Sequence, residues 1–236
     1  MNEHHKRILL VAATQSELEE LPIRWDSDRP HRIGLHRGAL RIGGDADVLI
    51  TGVGAASCAA QLALAGHQGY ELLINAGFAG AIGRRIPVGE LVLITHDRFA
   101  DYGIPRADSQ LVPLHEAGFQ QAATPNTDGA YVATSPQVAL MGFTMCQGIT
   151  VSHPTQGDYS WCLPLPTDSP LVESMEGAAF ALVASLLGIP RISLRVVSNY
   201  AAPTPEWNVP LAKRELAIGV QRVISAYMGK DPLKEV

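Results

Sequence analysis

Leu171-Val-Glu-Ser-Met-Glu-Gly-Ala-Ala-Phe180, continuing through Leu187-Gly188-Ile189-Pro190 to Arg191-Ile-Ser-Leu-Arg-Val-Val-Ser-Asn-Tyr200, is the stretch on which the fold turns. Its apolar residues predict a helix over Ser174–Leu187, buried nearly all round. Gly188-Ile189-Pro190 is a stop signal for that helix. Arg191–Ser198, rich in Ile, Leu and Val, then reads as a buried strand. Helix followed by buried strand is the rhythm of an α/β sheet, in which ligands bind outside the carboxyl ends of the strands. Two acids, Glu173 and Glu176, fall at the mouth of the helix, and Ser198-Asn199 falls at the end of the strand. The acids have a plainer reading too, since a carboxylate in a first turn complements the helix dipole.

Outward from that stretch, other strand ends carry small or polar residues. Lys6–Ala13 reads as a first buried strand, with Thr14-Gln-Ser-Glu17 at its carboxyl end. Thr14 or Ser16 suits an N-cap, and Glu17 opens a short helical pattern. Asp47–Thr51 reads as a strand and leads into Gly52-Val-Gly54 and an Ala-rich helix to Ala65. Such a turn can cradle an anion or a ribose on backbone amides. It can equally serve to let helix and strand pack closely. Ser57 at the third glycine position departs from the dinucleotide fingerprint. Leu72–Ala76 is a further strand, ending in a glycine-rich turn, Asn75-Ala-Gly-Phe-Ala-Gly-Ala81. Leu91–Ala100, Tyr131–Thr134 and Phe143–Val151 read as strands, and Val209–Met228 as an amphipathic C-terminal helix. Asp101–Asn126 and Gln156–Pro170 read as long loops. In the second, Tyr159 and Trp161 either close over a flat ligand or cover core.

Composition narrows the function. The 236 residues, 47% hydrophobic and 17% charged, suit one globular α/β domain spanning residues 1–236. A net charge of −5 without a basic run argues against nucleic acid as a partner. Ile8–Ala13 is too short for a membrane span or a signal core. Cys58, Cys146 and Cys162 are widely spaced and odd in number, which predicts reduced thiols and a cytoplasmic setting. The eight histidines are scattered, with no zinc-type spacing, so neither a metal nor any other cofactor is expected.

Taken in order, five segments resemble one family. They are Ala12-Ala-Thr14 with Glu17, Thr51-Gly-Val-Gly54, Asn75-Ala-Gly-Phe-Ala-Gly80, Val172-Glu-Ser-Met-Glu-Gly-Ala-Ala179 and Ser198-Asn-Tyr200. The sequence is similar over nearly its whole length to the purine nucleoside phosphorylase/nucleosidase superfamily. It most resembles the hydrolytic branch, the methylthioadenosine/S-adenosylhomocysteine nucleosidases and the futalosine hydrolases. The resemblance implies a three-layer α/β fold with a central mixed, partly barrel-like sheet flanked by helices. It implies cleavage of an N-ribosidic bond in a purine nucleoside, without nucleic acid or membrane, by a homodimer or higher homo-oligomer.

The resemblance also assigns roles. Glu17 would activate the attacking water and Asn199 would contact the purine near N7. Glu176 would hold the ribose hydroxyls, and Met175 would line the sugar pocket. The segment matching Gly157–Trp161, with Tyr159, Ser160 and Trp161, would flank the base. Gly54, Ala76, Gly77, Phe78, Glu173, Ser174 and Ser198 complete the expected substrate-binding set. The chemistry agrees with these roles. An oxocarbenium-like sugar needs a positioned water on one face and a carboxylate to balance its charge. Phosphorolysis needs cations, and no Gly-Asp-Pro-x-Arg-like segment stands near the start; Arg24, Arg29 and Arg32 lie past the first strand in an unrelated context.

Asn199 stands where the adenine-specific enzymes carry Asp. An amide offers a donor to the O6/N7 edge of a 6-oxopurine, which an ionised Asp does not. This favours a futalosine hydrolase, an enzyme that releases hypoxanthine on a menaquinone route. One departure is the absence of Arg between Tyr200 and Trp207, where a partner for the benzoate of futalosine is expected. A methylthioadenosine-type nucleosidase and a nucleoside-binding protein without turnover are the alternatives.

Overall fold

The computed structural model describes residues 7–25, 33–41, 45–106, 111–119, 129–133, 142–166 and 169–229. His4, His5, His31, Arg29 and Arg32 lie outside the described residues, as do Thr134, Asn126 and part of the Asp101–Asn126 segment.

Strand β1, Ile8–Ala12, consists of five consecutive buried apolar residues. It runs parallel between β3, Asp45–Ile50, and β4, Leu72–Ile82. Burial on both faces is what a continuous apolar run specifies in a parallel sheet. β2, Gly34–Arg41, adds an antiparallel edge to β3.

β4 is long enough to serve two neighbours in turn. Its first half, Leu72–Asn75, pairs with β1. Its last residues, Gly80–Ile82, pair instead with β10, Leu171–Ser174. β10 lies parallel to β9, Thr144–Thr150, and β9 parallel to β5, Leu91–Phe99. β5 pairs with β11, Arg191–Tyr200, which returns parallel to β4. Strands β4, β10, β9, β5 and β11 therefore close a five-membered ring, and β1, β3 and β2 extend it as an open sheet. All five ring strands contribute to one apolar cluster, through Ala79, Ala81, Val92, Ile94, Cys146, Val172 and Val197. β8, Tyr131–Val132, joins β5, and β6, Gly103–Pro105, forms a separate hairpin with β7, Leu111–Pro113.

Helices cover both faces of the sheet. α1, Ala55–Gly66, and α2, Gly177–Leu187, pack on one side over Leu9, Val11, Leu49 and Leu73. α3, Val209–Tyr227, packs on the other over Leu10, Ile74 and Val196. α2 ends at Gly188, whose φ of +67° gives the left-handed cap that a side chain resists. The three layers and the mixed, partly closed sheet are the architecture expected from the sequence.

Several boundaries differ from expectation. The helix begins at Gly177 rather than Ser174, because Leu171–Ser174 is taken up by pairing to both β9 and β4. Glu173 is thus a strand residue, and Glu176, with φ of −129°, is the last residue outside the helix. The glycine-rich Asn75–Ala81 segment is strand interior, not a turn. Asp101–Asn126 contains the β6–β7 hairpin. Glu17 sits in a single 3-10 turn, Gln15–Leu18. The three cysteines are buried and free.

Candidate active site

The point where β4 leaves β1 for β10 frees the backbone N–H of Phe78, and the site is built there. The N–H of Phe78 donates to Glu17 Oε1 at 3.1 Å. On the other oxygen, Glu17 Oε2 accepts from the Thr14 backbone N–H at 2.9 Å and the Thr14 hydroxyl at 3.3 Å. Thr14 caps the 3-10 turn and Glu17 answers it, so this local capping arrangement fixes the carboxylate. Burial raises the Glu17 carboxyl above the usual range; the nearby Arg195 charge and the two backbone N–H groups oppose the rise, and Glu176 adds to it.

Arg195 is the cation of this region and is fully buried on β11. A Cβ at Gly77 would overlap its guanidinium and lie 2.8 Å from Glu17 Oε1. Glycine at position 77 is therefore what lets acid and cation approach the same patch of backbone. Among the described residues, Arg195 Nε and Nη2 have no hydrogen-bond partner. Sequence reading missed Arg195. Its signal was a charge in the middle of an apolar strand, four residues before Asn199.

Glu176, buried in the turn before α2, accepts from the Gly54 N–H at 2.9 Å. Gly52 and Gly54 have φ of +79° and +97°, which aim that N–H across the site. The Gly-x-Gly turn thus holds an acid of the protein itself.

Three residues along β4, a second group gathers. A Cβ at Gly80 would lie 3.3 Å from Glu173 Cγ and 3.4 Å from Asn199 Nδ2. Glu173 accepts from the backbone N–H of Thr155 at 3.4 Å and, on its other oxygen, from the Thr155 hydroxyl. Burial raises its carboxyl too, and Thr155 opposes the rise. Asn199 follows a break in the β11 register between Val197 and Asn199, a bulge that re-aims the side chain. Ser198 Oγ donates to Asn199 Oδ1 at 2.9 Å, and Asn199 Nδ2 donates to the Tyr200 carbonyl at 3.1 Å. The carbonyl accepts only, so it fixes which end of the amide is NH₂, and the second N–H is left for a ligand.

Both groups open into one cavity of about 270 Å³ outside the strand ends. Of the residues expected at the site, it brings together Glu17, Phe78, Glu173, Ser174, Met175, Glu176, Ser198 and Asn199. Gly54 and Gly77 act behind this lining, through Glu176 and Glu17 respectively. Ala76 is buried in the core facing α3. Tyr159, Ser160 and Trp161 are not in the lining; Tyr159 and Trp161 pack on a small core cluster, and Trp161 stacks on His153 with centroids 4.3 Å apart. The loop supplies Gln156 instead, held at φ of +53°. Trp207, half exposed, lines the cavity from the segment before α3. Three carboxylates line this cavity, and among the described residues no Lys, Arg or His does. The described residues contain no cluster of His, Cys, Asp and Glu able to hold a metal ion and no helix long and apolar enough to cross a membrane.

Comparison with known proteins agrees with the fold. The family model described as "Phosphorylase superfamily" matches residues 7–226. The chain belongs to the phosphorylase superfamily. It is 34% identical to a futalosine hydrolase of Streptomyces coelicolor over 166 residues, covering 66% of this chain and 68% of that one. It is 29% identical to a futalosine hydrolase of Acidothermus cellulolyticus over 214 residues, 88% of this chain and 86% of that one. Among solved structures, a Streptococcus pneumoniae methylthioadenosine/S-adenosylhomocysteine nucleosidase in complex with 8-aminoadenine aligns over 93% of this chain and 99% of its own, with a TM-score of 0.70 at 22% identity. The Neisseria meningitidis enzyme with methylthio-immucillin-A aligns over 94% and 99%, with a TM-score of 0.67 at 17% identity. These structures share the three-layer fold.

Proposed function

We propose that this protein hydrolyses the N-ribosidic bond of a 6-oxopurine nucleoside, with futalosine as substrate and hypoxanthine as the released base, in menaquinone biosynthesis. The observation that carries hydrolysis is the acidic lining of the cavity, which holds no cation among the described residues. A phosphate dianion would face three carboxylates there, whereas a water finds an acceptor of raised basicity in Glu17. Glu17 takes the proton as the water attacks the anomeric carbon. Glu176 accepts from the ribose hydroxyls and balances the charge growing on the sugar. The electron pair of the broken bond leaves on the purine.

The futalosine reading is supported by the two relatives of that name and by the group around Gly80. Asn199 offers its free N–H to O6 or N7, and Glu173 offers a lone pair to N1–H. An adenine presents an amino group and no N1–H to the same pair. Phe78, half-buried in the lining, and Trp207 supply flat apolar walls.

The test is a panel of purine nucleosides in phosphate-free buffer with a chelator, with free base measured chromatographically. Hypoxanthine should appear from futalosine well ahead of adenine from methylthioadenosine. Dependence on phosphate, or ribose 1-phosphate among the products, overturns hydrolysis; faster adenine release overturns the base assignment; binding of both without release makes the protein a non-catalytic receptor.

A further inference from the structure

One buried acid has no part in the chemistry above. Asp97 stands on β5, 3% exposed, beneath the mouth of α2. A Cβ at Gly177 would overlap its Oδ2, and a Cβ at Gly148 would lie 2.7 Å from the same atom. Two glycines on two different elements thus clear the space the carboxylate fills. Its Oδ1 accepts from the Thr150 hydroxyl at 2.9 Å. That hydroxyl in turn accepts from the Ala178 N–H, in the first turn of α2, at 2.7 Å. The order matters: because the Thr150 proton is given to Asp97, an oxygen lone pair is left for the helix. Thr150 therefore satisfies an orphan N–H that a cap side chain would normally take, and Glu176 is free to point across the cavity to Gly54.

Asp97 is also joined electrically to the catalytic acid. The Arg195 charge opposes the effect of burial on both Glu17 and Asp97. The charge of a single buried guanidinium thus acts on two acids at once.

We propose that Asp97 is a positioning residue for the hydrolysis: it shares the charge of Arg195 with Glu17, and through Thr150 it seats the mouth of α2 from which Glu176 extends. The inference rests on Glu17 being the base. Burial pushes the Asp97 carboxyl from 3.8 up to about 6, against the lowering effects of Thr150, Arg195 and Arg98. The other groups around it are Arg191 on β11 and Tyr131 on β8, which share a small internal cavity with it, and the Cys146 thiol on β9, itself pushed up to about 12. The sign of the linkage follows. Between about 4 and 6 the folded protein keeps a proton that the unfolded chain has lost, so this acid's contribution to stability falls as pH rises through that window. Above it Asp97 is charged and competes with Glu17 for Arg195. Neutralising Asp97 gives the guanidinium wholly to Glu17, which then ionises at lower pH and is a weaker base.

Asp97→Asn tests this, read by thermal unfolding and by the pH profile of kcat/KM. The variant should fold, its plateau should drop tenfold or more, and its acid limb should move to lower pH. An unchanged plateau and limb overturns the inference. So does a lowered plateau whose limb stays in place or moves up, since a merely structural residue behaves that way. Should the Asn variant fail to fold, Asp97→Ser is read by the same criteria; failure of both to fold makes Asp97 a folding residue and also overturns the inference. Glu17→Gln separates the two layers. Near-normal turnover in that variant removes the base itself, whereas its inactivity beside an unaltered Asp97→Asn removes the Asp97 inference alone.

Discussion

Gly77 and Gly80 lie three residues apart on β4, and each opens room for an acid and a nitrogen group. At Gly77 the pair is Glu17 and Arg195, an acid and a full cation. At Gly80 it is Glu173 and Asn199, an acid and a neutral amide. The difference matches the two halves of the proposed reaction. Where the water is deprotonated, charge changes during the step, and a fixed cation tunes the base. Where the purine is recognised, the ligand is neutral, so donors and acceptors matter more than net charge. Clearance differs as well: the first pair crowds its glycine below 3 Å, while the second leaves contacts of 3.3–3.5 Å.

The largest expected effect comes from closing the tighter gap. Gly77→Ala places a methyl into the Arg195 guanidinium and against Glu17, so both must move. Overpacking of this kind costs about 1–3 kcal/mol, which for a chain of this size lowers Tm by about 2–12 °C. Turnover should fall below that of any single side-chain change at the site. Gly80→Ala meets contacts that yield by a few tenths of an ångström, so it should keep the wild-type Tm within about 3 °C and most of its turnover. Thermal unfolding and kcat/KM on the two variants check the pair; equal losses would erase the distinction between the two ends.

Next in size is Glu17→Gln. The amide keeps the shape of the turn, but its NH₂ meets donors at Thr14 or Phe78, and it cannot take a proton. Turnover should drop about a hundredfold or more, with nucleoside binding retained. Isothermal titration beside single-turnover kinetics reads the two separately. A variant that hydrolyses at the wild-type rate places the base elsewhere.

Much of this was legible in the sequence, for physical reasons that can be named. β1 shows as an apolar run because a strand buried on both faces carries few polar residues, and β5 and β11 show through their Leu, Ile and Val. Glu17 and Asn199 show as polar residues at the ends of β1 and β11, and Glu176 as an acid at the mouth of a helix. What the sequence hid is long-range. Asn75–Ala81 looks like a turn because glycine is locally ambiguous; only the pairing to β11 on one side, and to β1 and then β10 on the other, makes it a strand. Leu171–Ser174 joins the following helix in the apolar pattern, and only its two strand neighbours separate it. Arg195 and Asp97 were hidden because they sit inside strands and act through space on residues far away in sequence. Trp161 drew attention as an aromatic in a loop, yet it stacks on His153, and Trp207 lines the cavity.

Among the side-chain changes, the smallest expected effect is the sharpest test of the Gly80 end. Asn199→Asp replaces the NH₂ group, with its two donors, by an oxygen that accepts when ionised, and leaves the volume nearly unchanged. The substituted carboxylate would meet the Tyr200 carbonyl, to which Nδ2 now donates at 3.1 Å, and would lie beside Glu173. Two acids sharing a buried site hold a proton between them. A protonated Asp can restore one donor, so activity on a hypoxanthine nucleoside should fall rather than vanish. An unpaired buried polar group costs about 1–3 kcal/mol, or roughly tenfold to a hundredfold. The ratio of kcat/KM for an inosine-type over an adenosine-type substrate should fall by that factor, while Tm stays close to wild type. Because both substrates share the ribose, Glu17 and Glu176 cancel in the ratio, and only the reading of the base remains. An unmoved ratio would mean that the amide merely ties the end of β11 to its neighbours, and the contrast between a charged end and a neutral, base-reading end would have to be abandoned.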